Sequence, residues 1–174
     1  MNYFELYGIS ESFDIDQALV KRKFYELSKL YHPDFYINEP EEKQREILEL
    51  STLNNKAYQV LSDPGKRMAY ILDLHELITE GEKYQLPQDF LMEMMEVNES
   101  LMELELDPDA EILAKVSSEV SDVENNMSTE LKGITSTYAG QSAGEKEASL
   151  LKIKDLYYRQ KYLLRIRESL NKFS

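Results

Sequence analysis

Apolar residues recur at intervals of three or four along most of this chain, and no segment alternates strictly as a β-strand does. A series from Val20 to Tyr31 predicts a helix over residues 16–31, and a series that begins at Ile47 predicts another over 41–61. Two amphipathic helices of similar length joined by a loop are expected to pack as an antiparallel hairpin.

Shorter helices are predicted on either side of this hairpin. The aromatic opening, residues 1–8, indicates about two turns of helix. Asp63 precedes Pro64, a capping residue followed by a proline at the first helical position, and this pair predicts a helix that continues to about Thr79. The segment 81–86 then reads as a boundary between two regions.

The second half of the chain predicts three more helices. The first spans 87–106 and is broken by Pro108. The next is expected to end near Gly133 or to fray into the Ser/Thr/Gly-rich stretch 135–144, and the last spans about 143–170. Three helices joined by short breaks predict a three-helix bundle.

Composition narrows the class of protein. The 174 residues, 42% hydrophobic and 30% charged, suit one or two soluble globular domains. No apolar run reaches the roughly 18 residues that span a membrane, and the first residues show no signal-peptide pattern. The absence of cysteine favours a reducing, cytoplasmic location. The net charge of −13 argues against nucleic acid as a partner.

The tripeptide His32-Pro33-Asp34 separates the two hairpin helices. Pro33 fixes its own φ and moves His32 out of the α region, so the preceding helix must end near Tyr31. The side chains of His32 and Asp34 are therefore expected on an exposed, stiffened corner.

A basic face precedes this corner. It combines three bases with one tyrosine: Lys21, Arg22, Tyr25 and Lys29. Bases on a helix usually form an ordinary solvated face. Because the chain is strongly acidic overall, we favour a surface that attracts an acidic partner and accelerates encounter.

The predicted helix 87–106 carries two apolar strips at 100° per residue. The core strip comprises Phe90, Met94, Val97, Leu101 and Leu104. A second strip holds Leu91, Met95 and Met102, with Met92 beside it and an edge of Glu96, Glu99 and Glu103. A wide core stripe would explain Leu91 and Met95 equally well. Met92 with its acidic neighbours favours an adaptable protein-binding surface.

Several of these features together resemble one family. The matching stretches are Tyr3-Phe4-x-Leu6-Tyr7-Gly8, Tyr31-His32-Pro33-Asp34, Asn55-x-Ala57-Tyr58-x-x-Leu61-x-Asp63-Pro64 with Arg67 and Tyr70, and Phe90-Leu91-Met92-Glu93 with Glu96, Glu99 and Leu101. Together they resemble the HscB family of J-domain co-chaperones, which serve iron–sulfur cluster assembly. The resemblance covers about residues 1–105 by motif and the remainder by helical layout.

The resemblance implies an all-α fold with a J domain at 1–75, a linker at 76–86 and a C-terminal, oligomerisation-type client-binding domain at 87–174. It implies that the protein stimulates the ATPase of a DnaK/HscA-class chaperone and delivers the scaffold protein IscU to it. The tripeptide and the basic face together would bind the chaperone. The protein itself would need no cofactor and would not be an enzyme.

The resemblance also assigns the scaffold-binding residues. They are Leu91, Met92, Met95, Glu96, Glu99 and Glu103, and an apolar residue of the last helix, Leu156 or Tyr157, is expected to join them. An alternative is a J-domain protein with another client.

A second alternative is a small hydrolase built around His32. It lacks support, because catalysis needs a nucleophile and an oxyanion site, and the chain has neither cysteine nor a G-x-S-x-G motif. A metal site is not expected either, since the only other histidine is His75 and no ligand spacing is present. His75 itself is expected to be a partly buried structural residue.

Overall fold

The protein is described here by a computed structural model of residues 1–174, which divides into two compact units, Met1–Glu76 and Leu77–Ser174. All regular elements in both units are helical, which confirms the all-α prediction. The first unit contains α1 (Tyr3–Leu6), α2 (Gln17–Leu30), α3 (Glu41–Leu61), α4 (Pro64–Leu74) and a short 3-10 helix at Pro33–Tyr36 between α2 and α3. The second contains α5 (Gln88–Leu106), α6 (Ala110–Tyr138) and α7 (Ala143–Asn171). None of these helices is long and apolar enough to cross a bilayer.

In the first unit α3 is the central helix, because α1, α2 and α4 all pack against it. The predicted α2–α3 hairpin is therefore present. Its core is apolar and aromatic: Phe4, Tyr7, Phe13, Val20, Ile47, Ala57, Leu61, Met68, Ile71 and Leu72 are buried.

A buried asparagine joins three elements of this unit. The Asn54 side chain donates from Nδ2 to the Phe24 carbonyl (3.1 Å) and to Ser28 Oγ (3.2 Å), both on α2. It accepts at Oδ1 from the Tyr7 hydroxyl (2.8 Å). A buried amide is stable only when its polar atoms are paired, so Asn54 fixes α3 against the last turns of α2.

Arg67 has a similar role at the start of α4. Its guanidinium is buried and donates to the carbonyls of Phe13 and Leu61, which joins the segment before α2 to the end of α3. Burial lowers the pKa of this guanidinium. Asp63 caps α4 through its side chain, which accepts from the Lys66 amide (2.9 Å), as predicted.

The second unit is a three-helix bundle, as predicted. All five residues of the predicted core strip on α5 are buried. From α6 and α7 the core receives Val116, Val120, Met127, Leu156, Leu163, Ile166 and Leu170.

α6 is longer than the sequence suggested. It passes through Gly133 without a break and ends at Tyr138, whose side chain is buried. The hydroxyls of Thr135 and Thr137 donate to carbonyls one turn earlier, which lets polar residues remain helical. Burial of the aromatic ring therefore outweighs the weak helix propensity of the stretch before it.

Two shorter helices also differ from expectation. α1 has four residues rather than two turns, because Asn2 caps it before Tyr3 and the chain turns at Gly8, with φ 63°. α4 ends at Leu74 instead of Thr79. Glu76 has φ 57°, a left-handed conformation that a continuing α-helix does not allow.

Candidate interaction surfaces

The tripeptide forms a corner with defined backbone geometry. His32 is extended (φ −71°, ψ 124°) and stands at the N-cap of the 3-10 helix, with Pro33 at its first position. The side chains of His32 and Asp34 are 52% and 79% exposed, as predicted. The sequence folds in this way because a residue before proline avoids the α region, which ends α2 and starts a new turn.

The imidazole of His32 turns back onto its own loop. The Asp34 amide donates to His32 Nδ1 (3.3 Å), which makes Nδ1 an acceptor and leaves the proton of the neutral ring on Nε2. The Asp34 carboxylate lies 3.7 Å from the same Nδ1 atom and pairs with it only when the ring is protonated. The Nε2 edge is therefore the donor that this corner offers to a partner.

Apolar side chains beside the corner were missed by sequence reasoning. Phe35 is 75% exposed, and its ring meets the His32 ring edge-on at 5.8 Å. Ile37 is also exposed, while Tyr36 anchors the loop by donating from its hydroxyl to the Leu30 carbonyl (2.8 Å). The sequence signal that could have revealed them is the apolar run Phe35-Tyr36-Ile37 shortly after the helix-breaking Pro33.

The basic face lies on α2, in the two and a half turns before the corner. All four of its predicted members, Lys21, Arg22, Tyr25 and Lys29, are exposed. Lys23, on another side of the helix, is half-buried and pairs with Glu26. The basic face is thus accessible to a partner along α2 from Lys21 to Lys29.

The second strip of α5, which from here on includes the adjacent Met92, lies on the surface of the other unit. Met92, Met95 and Met102 are 61%, 60% and 64% exposed, and Leu91 is half-buried. The three carboxylates of its edge, Glu96, Glu99 and Glu103, are exposed too. The strip is therefore separate from the buried face of the helix, which decides against the wide-core alternative for the methionines.

The last helix contributes differently from expectation. Leu156 is only 2% exposed and belongs to the bundle core, so it is excluded as a surface contact. Tyr157 is half-buried, and Lys161 Nζ lies 4.9 Å from the centre of its ring. Of the two residues considered, only Tyr157 is accessible.

Polar and aromatic contacts with α7 fix the position of α5. Asn98 donates from Nδ2 to the Tyr162 hydroxyl (2.9 Å), and the Tyr162 ring meets Phe90 edge-on at 5.7 Å. Arg159 stacks on the Phe90 ring, with its guanidinium carbon 5.2 Å from the ring centre. These contacts fix the rotation of α5 and hence the direction in which its methionines point.

The segment before α5 is tied to α7, which the sequence did not indicate. Glu82 accepts from the Tyr158 hydroxyl (2.6 Å) and from Lys154 Nζ (3.0 Å). Tyr84 stacks on Tyr158 at 4.6 Å and donates to Asp155 (2.8 Å). The hydrogen bonds from Tyr158 and Lys154 lower the pKa of Glu82, whereas burial and the bond to Asp155 raise the pKa of Tyr84 to about 12.

His75 was expected to be a partly buried structural residue, and its side chain is 39% exposed. It follows the last residue of α4 and is exposed, and its Nε2 lies 3.0 Å from a carboxylate oxygen of Glu11. This contact joins the end of α4 to the segment before α2 on the surface of the first unit. No group of three or more His, Asp or Glu side chains is arranged to hold a metal ion.

Family comparisons agree with this division into two parts. A model of the DnaJ domain matches residues 2–70, and a model of the HSCB C-terminal oligomerisation domain matches residues 86–171.

Individual proteins extend the match over the whole chain. A co-chaperone protein HscB homolog of Shewanella halifaxensis is 31% identical over 175 residues, covering 99% of this chain and 96% of the relative. The human iron–sulfur cluster co-chaperone protein HscB is 37% identical over 105 residues, which cover 60% of this chain and 45% of the human protein. The crystal structure of human HscB aligns with TM-score 0.70 and 26% identity over 98% of this chain and 81% of that one. The chain therefore belongs to the HscB family of J-domain co-chaperones, which act in iron–sulfur cluster assembly.

Proposed function

We propose that this protein binds a DnaK/HscA-class ATPase chaperone through its corner and basic face, and an IscU-type iron–sulfur scaffold through the second strip of α5. It stimulates ATP hydrolysis by the chaperone and presents the scaffold to it. It performs no chemistry of its own and holds no cofactor. The observation that carries the proposal is that the two surfaces, each exposed and each rigidly supported, lie on different units.

The chaperone surface is supported by its preorganisation. Asn54 fixes α2 on α3 one turn before the corner, so little ordering is needed when a partner binds. The Nε2 donor of His32 and the exposed ring of Phe35 offer one polar and one apolar contact side by side. The bases at Lys21, Arg22 and Lys29 increase the rate of encounter with an acidic surface.

The scaffold surface is supported by its chemistry. Met92 and Met95 supply flexible apolar contacts, and an exposed apolar strip edged by polar residues is the usual form of a protein-binding site. Glu96, Glu99 and Glu103 favour a client with a basic surface beside an apolar one. Tyr157 is the accessible candidate on α7, in place of Leu156.

The experiment is a comparison of scaffold binding by the full chain and by a Leu91→Ala, Met92→Ala, Met95→Ala variant. Covering such side chains is worth roughly 1.5–3 kcal/mol each when burial is complete, and a micromolar complex totals about 8 kcal/mol. The variant is therefore expected to bind at least a hundred times more weakly, while its helicity and its stimulation of the chaperone without scaffold persist. A folded variant that binds the scaffold normally would place the client site elsewhere.

A further inference from the structure

Sulfur is distributed unevenly over this molecule. The chain has seven methionines and no cysteine, so thioethers are its only oxidisable sulfur groups. Beyond the first residue, three methionines are exposed, and all three lie on the second strip of α5: Met92, Met95 and Met102. The other three are enclosed in the cores, with Met68, Met94 and Met127 at 7%, 0% and 5% exposure.

Exposure decides which methionines a small oxidant reaches. A hydroperoxide transfers one oxygen atom to the thioether: its O–O bond breaks, an S–O bond forms, sulfur loses two electrons, and the second oxygen leaves as water or alcohol. The product, methionine sulfoxide, is polar and is reduced by the sulfoxide reductases. Those enzymes supply two electrons from a dithiol, which becomes a disulfide, and the sulfoxide oxygen leaves as water.

We propose that Met92, Met95 and Met102 form a reversible oxidation site, and that hydroperoxides switch off client binding by converting this strip to sulfoxides. The inference rests on the proposed function of the strip. It assigns to the three side chains a modification that the buried methionines escape.

The surroundings of the strip make a sulfoxide unfavourable there. One helical turn from Met92 and Met95 lie Glu96 and Glu99, and a carboxylate accepts hydrogen bonds but donates none to a sulfoxide oxygen. α5 contains no basic side chain. A partner that covers the strip therefore buries polar oxygens that neither a carboxylate nor a basic side chain of α5 pairs, which weakens binding by about tenfold for each covered sulfoxide.

The fold itself tolerates the modification. Met94 is completely enclosed, and the contact between Asn98 and Tyr162 that fixes α5 on α7 involves no sulfur. Oxidation limited to exposed side chains leaves these contacts in place, so the switch acts on the surface and not on the bundle.

The first arm of the test measures selectivity. The full chain is treated with millimolar hydrogen peroxide, the peroxide is removed with catalase, and oxidation at each methionine is followed by peptide mass spectrometry. Met92, Met95 and Met102 are expected to oxidise at least tenfold faster than Met94, their internal control on the same helix. Equal rates at Met94 and its neighbours in protein that retains its helicity would overturn the proposal.

The second arm measures binding as a ratio. For each protein, the Kd for an IscU-type scaffold is compared before and after treatment of the co-chaperone alone. The ratio is expected to be ten or more for the unsubstituted chain and for Met94→Leu, and near one for the Met92→Leu, Met95→Leu, Met102→Leu variant, whatever the affinity of that variant before treatment. Sulfoxide reductases with dithiothreitol should restore the original Kd of the unsubstituted chain.

The outcomes separate this inference from the proposed function. An oxidised chain that binds the scaffold as before, or that is not restored by the reductases, contradicts the switch while the client site stands. An untreated chain that does not bind the scaffold refutes the proposed function and, with it, the switch. The selectivity of oxidation is measured without any partner and fails or holds independently.

Discussion

The side chain of Asn54 is predicted to contribute strongly to the stability of the first unit. The Asn54→Ala substitution removes three hydrogen bonds: one accepted from the Tyr7 hydroxyl and two donated to Phe24 and Ser28. Each is worth about 1 kcal/mol net, and the buried groups that lose their partner add a desolvation cost. The Tyr7 hydroxyl keeps a longer contact, 3.2 Å, to the Asn54 carbonyl. We therefore expect a loss of about 2–4 kcal/mol.

Amide hydrogen exchange is the appropriate assay, because it reports the first unit separately from the second. Protection of slowly exchanging amides in α2 and α3 should fall by roughly 30- to 1,000-fold, the equivalent of this free energy. Asn55→Ala is the matched control, since Asn55 lies on the same helix, is exposed and undergoes the same change in helix propensity. It should alter stability by no more than about 0.5 kcal/mol. Equal effects of the two substitutions would refute the reasoning.

Three further changes test other parts of the account. Charge reversal by Arg22→Glu or Lys29→Glu should weaken stimulation of the chaperone mainly at low salt, because screening already reduces the attraction near ~0.15 M; a loss independent of salt would indicate damaged folding. Glu82→Gln should make the segment before α5 less sensitive to acid. The folded pKa of Glu82 is lowered, so its contribution to stability is complete above pH ~4.5 and is lost as the pH falls through the folded value; hydrogen exchange of residues 78–86 would report this loss. Glu99→Lys should raise the Kd for a scaffold with a basic surface, measured by calorimetry, and an unchanged Kd would remove Glu99 from the client site.

Apolar periodicity was sufficient to predict most of the fold. On α5 the five residues at core spacing are all buried, and the methionines a quarter turn away are exposed, because a helix in a bundle has a fixed rotation. The corner followed from one proline, since its restriction of the preceding residue is local and independent of context. Both patterns depend only on residues that are close together in sequence.

Long-range contacts explain two of the differences from expectation. Burial of Tyr138 extends α6 beyond Gly133. The family resemblance offered Leu156 or Tyr157 as the scaffold contact on α7, and packing against the neighbouring helices shows that Leu156 is enclosed in the bundle core.

Neighbouring side chains of similar type were equally hard to distinguish from sequence. Asn54 and Asn55 are adjacent and chemically identical, yet only the first is buried in a hydrogen-bond network. The partner of His75 is Glu11, which is far away in sequence and which the sequence pattern did not indicate. In both cases the deciding partner lies on another element.

The central claim, that this chain couples a client to a chaperone ATPase through two separate surfaces, is tested most directly by single-turnover ATP hydrolysis. The rate of a DnaK/HscA-class chaperone is measured with this protein, with and without an IscU-type scaffold. We predict stimulation by the unsubstituted chain and a further increase with scaffold. His32→Gln should remain folded, because the side chain is exposed, and should abolish both effects. A folded His32→Gln protein that stimulates the chaperone as fully as the unsubstituted chain would contradict the account.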